Sequence, residues 1–258
     1  MVRGLYAANL GMTVQMKRMD VVSNNIANVN TTAFKKDSVA TQSFAEELMK
    51  RLDDPGTRLY GHAVNVGKFT SGVFVDTVFT NFSSGPMRIT ENALDLAIDG
   101  DGFFVVQVAD NRGRVSEKYT RDGTFTLAGD RLLTRDGARV VGADGSPVVI
   151  PEGFVSIDNN GAVFADGEYV NTLKLVDFKD KSTLRSARGN MYVTTADSEF
   201  IEAKGLVVQG ALEGSNVNSA LEMVDMITIN RAYEANQRAI LTIDATLGRA
   251  VNDLANKR

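Results

Sequence analysis

The two ends of the chain carry the same apolar pattern, and neither end resembles the middle. At each end an apolar residue recurs every seven positions, and a second apolar series occurs three positions after the first. The N-terminal series are Leu5, Met12, Met19 and Ile26, and then Ala8, Val22 and Val29. The C-terminal series are Met226, Tyr233, Ile240, Leu247 and Leu254, and then Ile229, Ile243 and Ala250. Because this repeat is typical of a helix that buries one narrow seam against another, we predict two terminal helices that pair like a coiled coil.

Polar residues interrupt both seams. Gln15 stands in the second N-terminal series and Asn236 in the second C-terminal series. A buried amide in a coiled coil costs stability but fixes the register of the helices. Our hypothesis is that these amides, together with Asn24, Asn25 and Asn28, form hydrogen bonds between helices or between copies of the chain. The alternative is that Gln15 and Asn236 are solvated polar positions.

Local signals set the ends of the predicted helices. The first helix is predicted from about Gly4 to about Asn28, where an Asn/Thr-rich tract competes for backbone hydrogen bonds. The last helix is predicted to start after Asn218 and to run almost to the C-terminus. Ser43-Phe44-Ala45-Glu46 reads as a capping box, which predicts a short helix with a face of Phe44, Leu48 and Leu52. Residues 57–72 have little pattern and are predicted to be a linker.

From residue 73 onward, short apolar runs alternate with turn signals. Asp-Gly and Asn-Gly pairs end at Gly100, Gly102, Gly123, Gly137, Gly145, Gly161 and Gly167. Such pairs supply the positive φ angles of tight hairpin turns, and their density predicts an antiparallel β domain. The expected fold class is α+β, with a discontinuous helical domain of residues 1–35 and 216–258. Residues 36–72 form the short helix and linker, and residues 73–215 the β-rich domain.

Composition argues against several classes of function. The net charge of −4 offers no field for nucleic acid, and no cysteine is present for disulfides or thiolate metal sites. No segment is apolar enough to insert into a membrane, and the first residues lack a cleavable signal peptide. His62 is the single histidine, so neither a catalytic relay nor a metal site is predicted. We therefore expect no enzyme, no catalytic residue and no cofactor.

A loose basic stretch lies within the predicted β domain. It contains Arg112, Arg114, Lys118 and Arg121, and Asp110, Glu117 and Asp122 interleave with it. The expected interpretation is a solvated hairpin face, and a contact with a neighbouring subunit is the minority alternative.

Four blocks, spread in order along the chain, resemble one protein family. They are residues 23–35 (SNNIANVNTTAFK), 94–104 (LDLAIDGDGFF), 119–125 (YTRDGTF), and 212–218 with 231–237 (LEGSNVN and RAYEANQ). Together they resemble the rod and hook axial proteins of the bacterial flagellum, and the length favours a basal-body rod subunit. The last block resembles the proximal-rod type more than the distal. Ala33 stands where the family usually has glycine, so the sequence does not decide whether the backbone at this position is left-handed.

The resemblance implies a structural subunit that polymerises through its terminal helices into the periplasm-spanning drive shaft. Its implied partners are copies of itself, other rod and hook proteins, and the flagellar type III export apparatus. The implied location is the basal body. Alternatives are a distal-rod or hook-type axial subunit, or a secreted monomeric binding module with a closed helical stalk. The assembly residues we expect are the two seams with Gln15, Asn236 and the Asn-rich block.

Overall fold

Two long helices flank a β-rich centre, so the α+β class is confirmed. The computed structural model describes residues 2–45, 47–51, 64–70, 72–109 and 114–255. Helix α1 is Val2–Ala27 and helix α2 is Ser219–Ala255. The chain divides into two units. The helical unit contains residues 1–24, 37–79 and 220–258, and the β unit contains residues 25–36 and 80–219.

The helical unit combines both helices with four strands. These are β1 (Asp37–Ser43), β2 (Glu47–Arg51), β3 (Val64–Phe69) and β4 (Val73–Thr80). Strand β1 pairs with β4, and β2 pairs antiparallel with β3. None of the described helices combines the length and the apolarity that crossing a bilayer requires.

The predicted short helix between Ser43 and Leu52 is wrong, because Glu47–Arg51 is a strand that pairs with Val64–Phe69. Residues four apart share one face of a strand as well as one face of a helix, so the spacing of Phe44 and Leu48 fitted both. Pairing with a distant strand decided between them. Glu46 of the capping box and Leu52 of the predicted apolar face lie outside the described residues.

The β unit is built almost entirely from short antiparallel strands. Its strands are β5 (Met87–Ile89), β6 (Leu96–Asp99), β7 (Phe103–Ala109), β8 (Val115–Thr120), β9 (Phe125–Ala128), β10 (Arg131–Thr134), β11 (Arg139–Val140), β12 (Val155–Ile157), β13 (Ala162–Ala165), β14 (Glu168–Thr172), β15 (Leu175–Phe178), β16 (Arg185–Ala187), β17 (Met191–Val193), β18 (Phe200–Glu202), β19 (Leu206–Gln209) and β20 (Ala211–Glu213). A 3-10 turn covers Lys181–Thr183.

Strand β7 is the centre of the largest sheet of the β unit. It pairs with β8, β11 and β15, and its first residues, Phe103 and Phe104, are fully buried on opposite faces. The Phe104 ring packs edge-on against Phe125, and the Phe103 ring against Phe178 and Tyr192. Strands β12, β13 and β14 form a separate three-stranded sheet.

The glycine turn signals are confirmed at six of the seven positions. Positive φ angles occur at Gly100, Gly102, Gly137, Gly145, Gly161 and Gly167. Gly123 is the exception. A Cβ atom at this position would lie 1.8 Å from the carbonyl oxygen of Leu96, so Gly123 serves a close approach of two backbone segments.

Candidate functional site

A buried cluster of charges lies in the β unit. The Glu213 carboxylate accepts from Lys35 Nζ at 2.6 Å through Oε1, and its Oε2 is 3.4 Å from Arg121 Nη1. All three side chains are excluded from solvent. Arg121 also donates to the Gly100 carbonyl at 2.9 Å, and its guanidinium carbon lies 5.3 Å from the centre of the Phe103 ring. Two cations therefore share one carboxylate in a site without water contact.

Each member of this cluster comes from a different one of the four sequence blocks. Lys35 ends the Asn-rich block, Gly100 lies in the second, Arg121 in the third, and Glu213 at the end of β20 in the fourth. The backbone joins them as well, because Ala33 N–H donates to the Glu213 carbonyl at 2.8 Å. One residue from each of four blocks that are far apart in sequence thus meets the others at one place in the β unit.

Burial sets the electrostatics of the cluster. Desolvation lowers the pKa of Lys35 below its ordinary value, and the hydrogen bond and charge of Glu213 oppose that effect. A hydrogen bond from Lys181 lowers the pKa of the exposed Asp101 carboxyl nearby. Arg121 Nε is buried with no hydrogen-bond partner among the described residues. Glu213 is therefore the buried group that opposes the desolvation of Lys35.

A second polar anchor lies beside the cluster. The Asn216 side chain accepts from Lys36 N–H at 2.7 Å and donates to the carbonyls of Asn81 and Ser83 at 2.8 and 3.1 Å. The Ser83 carbonyl also accepts from Lys35 Nζ at 2.8 Å. Two backbone segments of the β unit, at Lys36 and at residues 81–83, are thereby tied to one amide.

The question left open at Ala33 is settled by its backbone. Ala33 has φ 54° and is almost completely buried, so the left-handed conformation is present without glycine. A Cβ atom makes this conformation cost about 1–2 kcal/mol. The N–H of Ala33 bonds to Glu213 in this conformation, which ties the strained residue to the charged cluster.

Between residues 226 and 250, the predicted seam residues of α2 are its less exposed positions, whereas Glu222 is buried outside the seam. Ile229 is buried, and Met226, Tyr233, Asn236, Ile240, Ile243, Leu247 and Ala250 are half-buried. The helix continues through residue 254, but the side chain of Leu254 lies outside the described part of the chain. The described α2 residues between these positions, from 227 to 249, are exposed apart from the half-buried Ala232.

The predicted seam of α1 is also withdrawn from solvent. Ala8 and Val22 are buried, and Leu5, Met12, Gln15 and Met19 are half-buried. Val14 is buried too, and Leu10 is half-buried beside Gly72, where a Cβ atom would lie 3.0 Å from Leu10 Cδ1. The buried face of α1 is therefore wider than a two-position seam, because α1 packs against the strand region as well as beside α2.

The Asn-rich block divides by exposure. Asn24 is exposed, Asn25 is completely buried, and Ile26 and Asn28 are half-buried. Asn28 Oδ1 accepts from the Thr31 hydroxyl at 3.1 Å. Their role between copies of the chain stays a prediction.

The expected solvated basic face is wrong at Arg121, which is completely buried. The buried Glu213 carboxylate, 3.4 Å away, balances its charge together with the exposed Asp101 carboxylate, 4.0 Å away. Lys35 and Glu213 were not among the predicted site residues, and each is the one charged residue of its segment, 23–35 and 212–218. Arg112 and His62 lie outside the described residues. Within the described part of the chain no group of three His, Cys, Asp or Glu is arranged to hold a metal.

Three segments of the chain match models of flagellar rod and hook protein families. Residues 5–35 match the model for flagella basal body rod proteins, residues 97–165 the flagellar hook protein FlgE/F/G D1 domain, and residues 208–254 the C-terminal domain of flagellar basal body rod FlgEFG proteins.

Relatives match over almost the whole chain. The flagellar basal-body rod protein FlgG of Borreliella burgdorferi is 33% identical over 98% of this chain and 98% of its own length. FlgG of Bacillus subtilis is 31% identical over 98% and 99%, and FlgF of Caulobacter vibrioides is 35% identical over 89% of each. The resemblance seen in the four blocks is confirmed, and these relatives are structural proteins rather than enzymes. The chain belongs to the flagellar basal-body rod protein family.

Proposed function

We propose that the chain is a structural subunit of the rod that polymerises through its terminal helices. The polymer is the periplasm-spanning drive shaft that transmits torque to the hook, and the subunit reaches it through the type III export apparatus. One observation carries the polymerisation. Four large apolar side chains, each more than half exposed, lie within two turns of α2: Leu221, Met223, Val224 and Ile227. We call them the α2 patch.

The α2 patch does not belong to the seam. With 100° per residue, Val224 and Ile227 are turned well away from Ile229 on the helix surface. Exposed apolar clusters of this kind mark interaction sites, because water contact with them is unfavourable. The occupant we propose is the terminal helices of a second copy, which expose Tyr6 and Met16 on α1. Such a contact joins two different surfaces, and a heterologous contact that does not close generates a helical filament.

Within one copy, we propose that α1 and α2 pair antiparallel along the seams. Two close approaches support this pairing: a Cβ atom at Gly4 would lie 3.1 Å from Ile243 Cδ1, and one at Gly11 would lie 3.0 Å from Asn236 Nδ2. Both helices advance seven residues between these contacts, in opposite directions. That step is one heptad, the spacing at which coiled-coil contacts repeat.

The two seam amides are proposed to fix the register of this pairing and of its neighbours. Gln15 Oε1 is buried with no hydrogen-bond partner among the described residues. A buried acceptor without a partner is unfavourable by about 1–3 kcal/mol. A donor from a neighbouring copy would remove this cost, so assembly and register are coupled at these positions.

Torque transmission is proposed to follow from the length and packing of the helices. Helix α2 has 37 residues, which corresponds to about 55 Å at 1.5 Å per residue. Close-packed side chains have low compressibility and transmit strain. A shaft of such helices would therefore carry a twisting load through apolar contacts along each subunit.

Replacing Ile227 by Glu tests the α2 patch directly. We expect the concentration at which purified protein polymerises to rise about tenfold or more, since a buried apolar side chain contributes about 1.5–3 kcal/mol. Sedimentation over a concentration series measures it, and circular dichroism checks that the variant is folded. The matched control is Gln237→Glu, which puts the same charge on an exposed polar position of α2. Equal polymerisation of Ile227→Glu and the control would contradict the proposed contact.

Replacing Asn236 by Leu tests the proposed register. Leucine has a similar size beside Gly11 but no amide, so we expect loosened register and fewer assembled rods, seen as impaired motility when the variant replaces the wild-type protein. Asn230→Leu, at an exposed position of the same helix, is the control. Normal rod assembly and motility with Asn236→Leu would contradict the register hypothesis and favour the alternative that Asn236 is a solvated polar position.

A closed-stalk binding module remains the competing function, because contacts such as Gly11 with Asn236 would also occur in a monomer. Concentration separates the two. A polymerising subunit gains helical signal as it associates, since terminal helices without partners cannot offset their ordering entropy. A closed stalk has its full helical signal when dilute and does not associate.

A further inference from the structure

An open cleft in the β unit is lined by three cations. It has a volume of about 460 Å³, and its walls include Lys118 of β8, Arg139 of β11 and Arg188 of the turn after β16. None of these three side chains forms an ion pair with a described residue, and Asp136 is the one carboxylate in the lining. Val115 and Met191 add apolar surface. The cleft is therefore positive with an apolar floor, although the chain as a whole is acidic.

A second surface of the β unit has the opposite character. From residue 140 to residue 173 the sequence contains no lysine or arginine. It contains five acidic residues, all exposed: Asp144, Glu152, Asp158, Asp166 and Glu168. This segment includes the whole sheet of β12, β13 and β14, which we call the acidic sheet. No described ion pair balances any of these carboxylates within the chain.

Exposed aromatic rings lie in and directly beside the acidic sheet, Tyr169 in β14 and Phe154 immediately before β12. Phe154 is 75% exposed and Tyr169 is 62% exposed. The backbone before Phe154 is fixed, because Asp166 Oδ1 accepts from Phe154 N–H at 2.8 Å. A ring held out from an acidic surface matches an open cleft that offers both apolar contact and guanidinium groups, which attract aromatic faces.

We propose that the acidic sheet of one copy docks in the cationic cleft of a neighbouring copy, with Phe154 inserted between the cations. The inference rests on the polymerisation proposed above and adds a second, outer contact to it. Its occupant is a second copy because the chain itself carries both complementary surfaces, on different residues. Their contact is heterologous, as a helical polymer requires. Charge complementarity then selects the register of neighbouring β units and speeds their encounter.

Charge exchange provides the test. Arg139→Glu with Arg188→Glu makes the cleft acidic, and Glu152→Lys with Asp158→Lys and Glu168→Lys leaves the acidic segment with two acidic and three basic side chains, so that it becomes basic. Either set of changes alone is expected to raise the polymerisation concentration about tenfold. All five changes in one chain are expected to restore it to within about threefold of wild type, because the attraction is rebuilt with opposite signs. The contact between copies of the wild-type chain should also weaken in 1 M salt, where charges are screened beyond about 3 Å.

The controls separate this inference from the proposed function. Arg185→Glu with Lys204→Glu makes the same charge change at exposed positions outside the cleft lining, and should leave polymerisation unchanged. Thermal unfolding of each variant shows whether it is folded. If the cleft variant polymerises like this control while Ile227→Glu does not, the docking is overturned and the polymerising subunit stands. Normal polymerisation with lost motility would assign the cleft to another partner and overturn the docking. A wild-type chain that never polymerises overturns both.

Discussion

Replacement of Glu213 by Gln is expected to lower the free energy of unfolding at pH 7 by about 3–5 kcal/mol, the usual cost of breaking a buried ion pair from one side. Glutamine keeps the shape of the side chain but removes the charge that Lys35 and Arg121 share. Its amide also places donors where Arg121 already donates. Lys35 would then be buried without a counter-charge, and Arg121 would keep only the exposed Asp101 carboxylate, whose Oδ1 lies 4.0 Å from Arg121 Nη2.

The loss should depend on pH in a defined direction. Desolvation lowers the pKa of Lys35 below its ordinary value of 10.5, so between the folded pKa and 10.5 the unfolded chain binds more protons. Stability from this group therefore rises with pH across that window. Removing Glu213 takes away the influence that raises the pKa, so the window opens at lower pH. The Glu213→Gln variant should recover part of its loss between pH 7 and pH 10.

Denaturant unfolding at several pH values measures both effects. Glu199→Gln is the matched control, because the Lys179–Glu199 pair is 2.8 Å long but about 70% exposed at both ends. Exposed pairs contribute about 0–1 kcal/mol, so this variant should unfold almost like the wild type. A loss below about 1 kcal/mol for Glu213→Gln, or a loss that grows with pH, would contradict the assigned role of Glu213.

The two terminal helices could be predicted from the sequence because a long heptad repeat of apolar residues fits a helix and no other regular element. Met226, Tyr233 and Ile240 repeat over more than three turns, and no other element places them on one face. The short segment at Phe44 had no such length. Its four-residue spacing fitted a helix and a strand equally, and only pairing with a distant strand decided between them.

The charged cluster could not be predicted because the sequence carries no record of which residues meet. Lys35 and Glu213 are 178 positions apart, and each looks like an ordinary surface residue beside its neighbours. Arg121 was grouped with nearby basic residues, since local charge density favours a solvated face. Burial of a charge is decided by the partner that the fold supplies. What the sequence does offer is the family resemblance of the four blocks, each of which contributes one residue to the cluster.

Replacement of Gly123 is the other change for which we expect a large loss of stability. The reason is that there is no room for a Cβ atom at this position, not that its φ angle requires glycine. Replacing Gly123 by Ala would place Cβ 1.8 Å from the carbonyl oxygen of Leu96 and 2.7 Å from its carbonyl carbon. Neither atom can move easily. Leu96 is completely buried, and its N–H donates to the Gly123 carbonyl at 3.1 Å. Overpacking typically costs about 1–3 kcal/mol, and because the backbone at Leu96 is fixed we expect a loss at the upper end, about 3 kcal/mol, in the free energy of unfolding.

Gly137→Ala is the matched control, because it is also a glycine that follows aspartate. Its φ is +81°, but a Cβ atom there would meet nothing within 4 Å. Only the left-handed conformation opposes alanine, at about 1–2 kcal/mol. Denaturant unfolding of the two variants should therefore rank Gly123→Ala as clearly the less stable. Equal losses would mean that the backbone at Leu96 yields, and the close approach of the second and third blocks would not depend on glycine. A larger loss at Gly123 would explain why an Asp-Gly pair without a positive φ stands between β8 and β9.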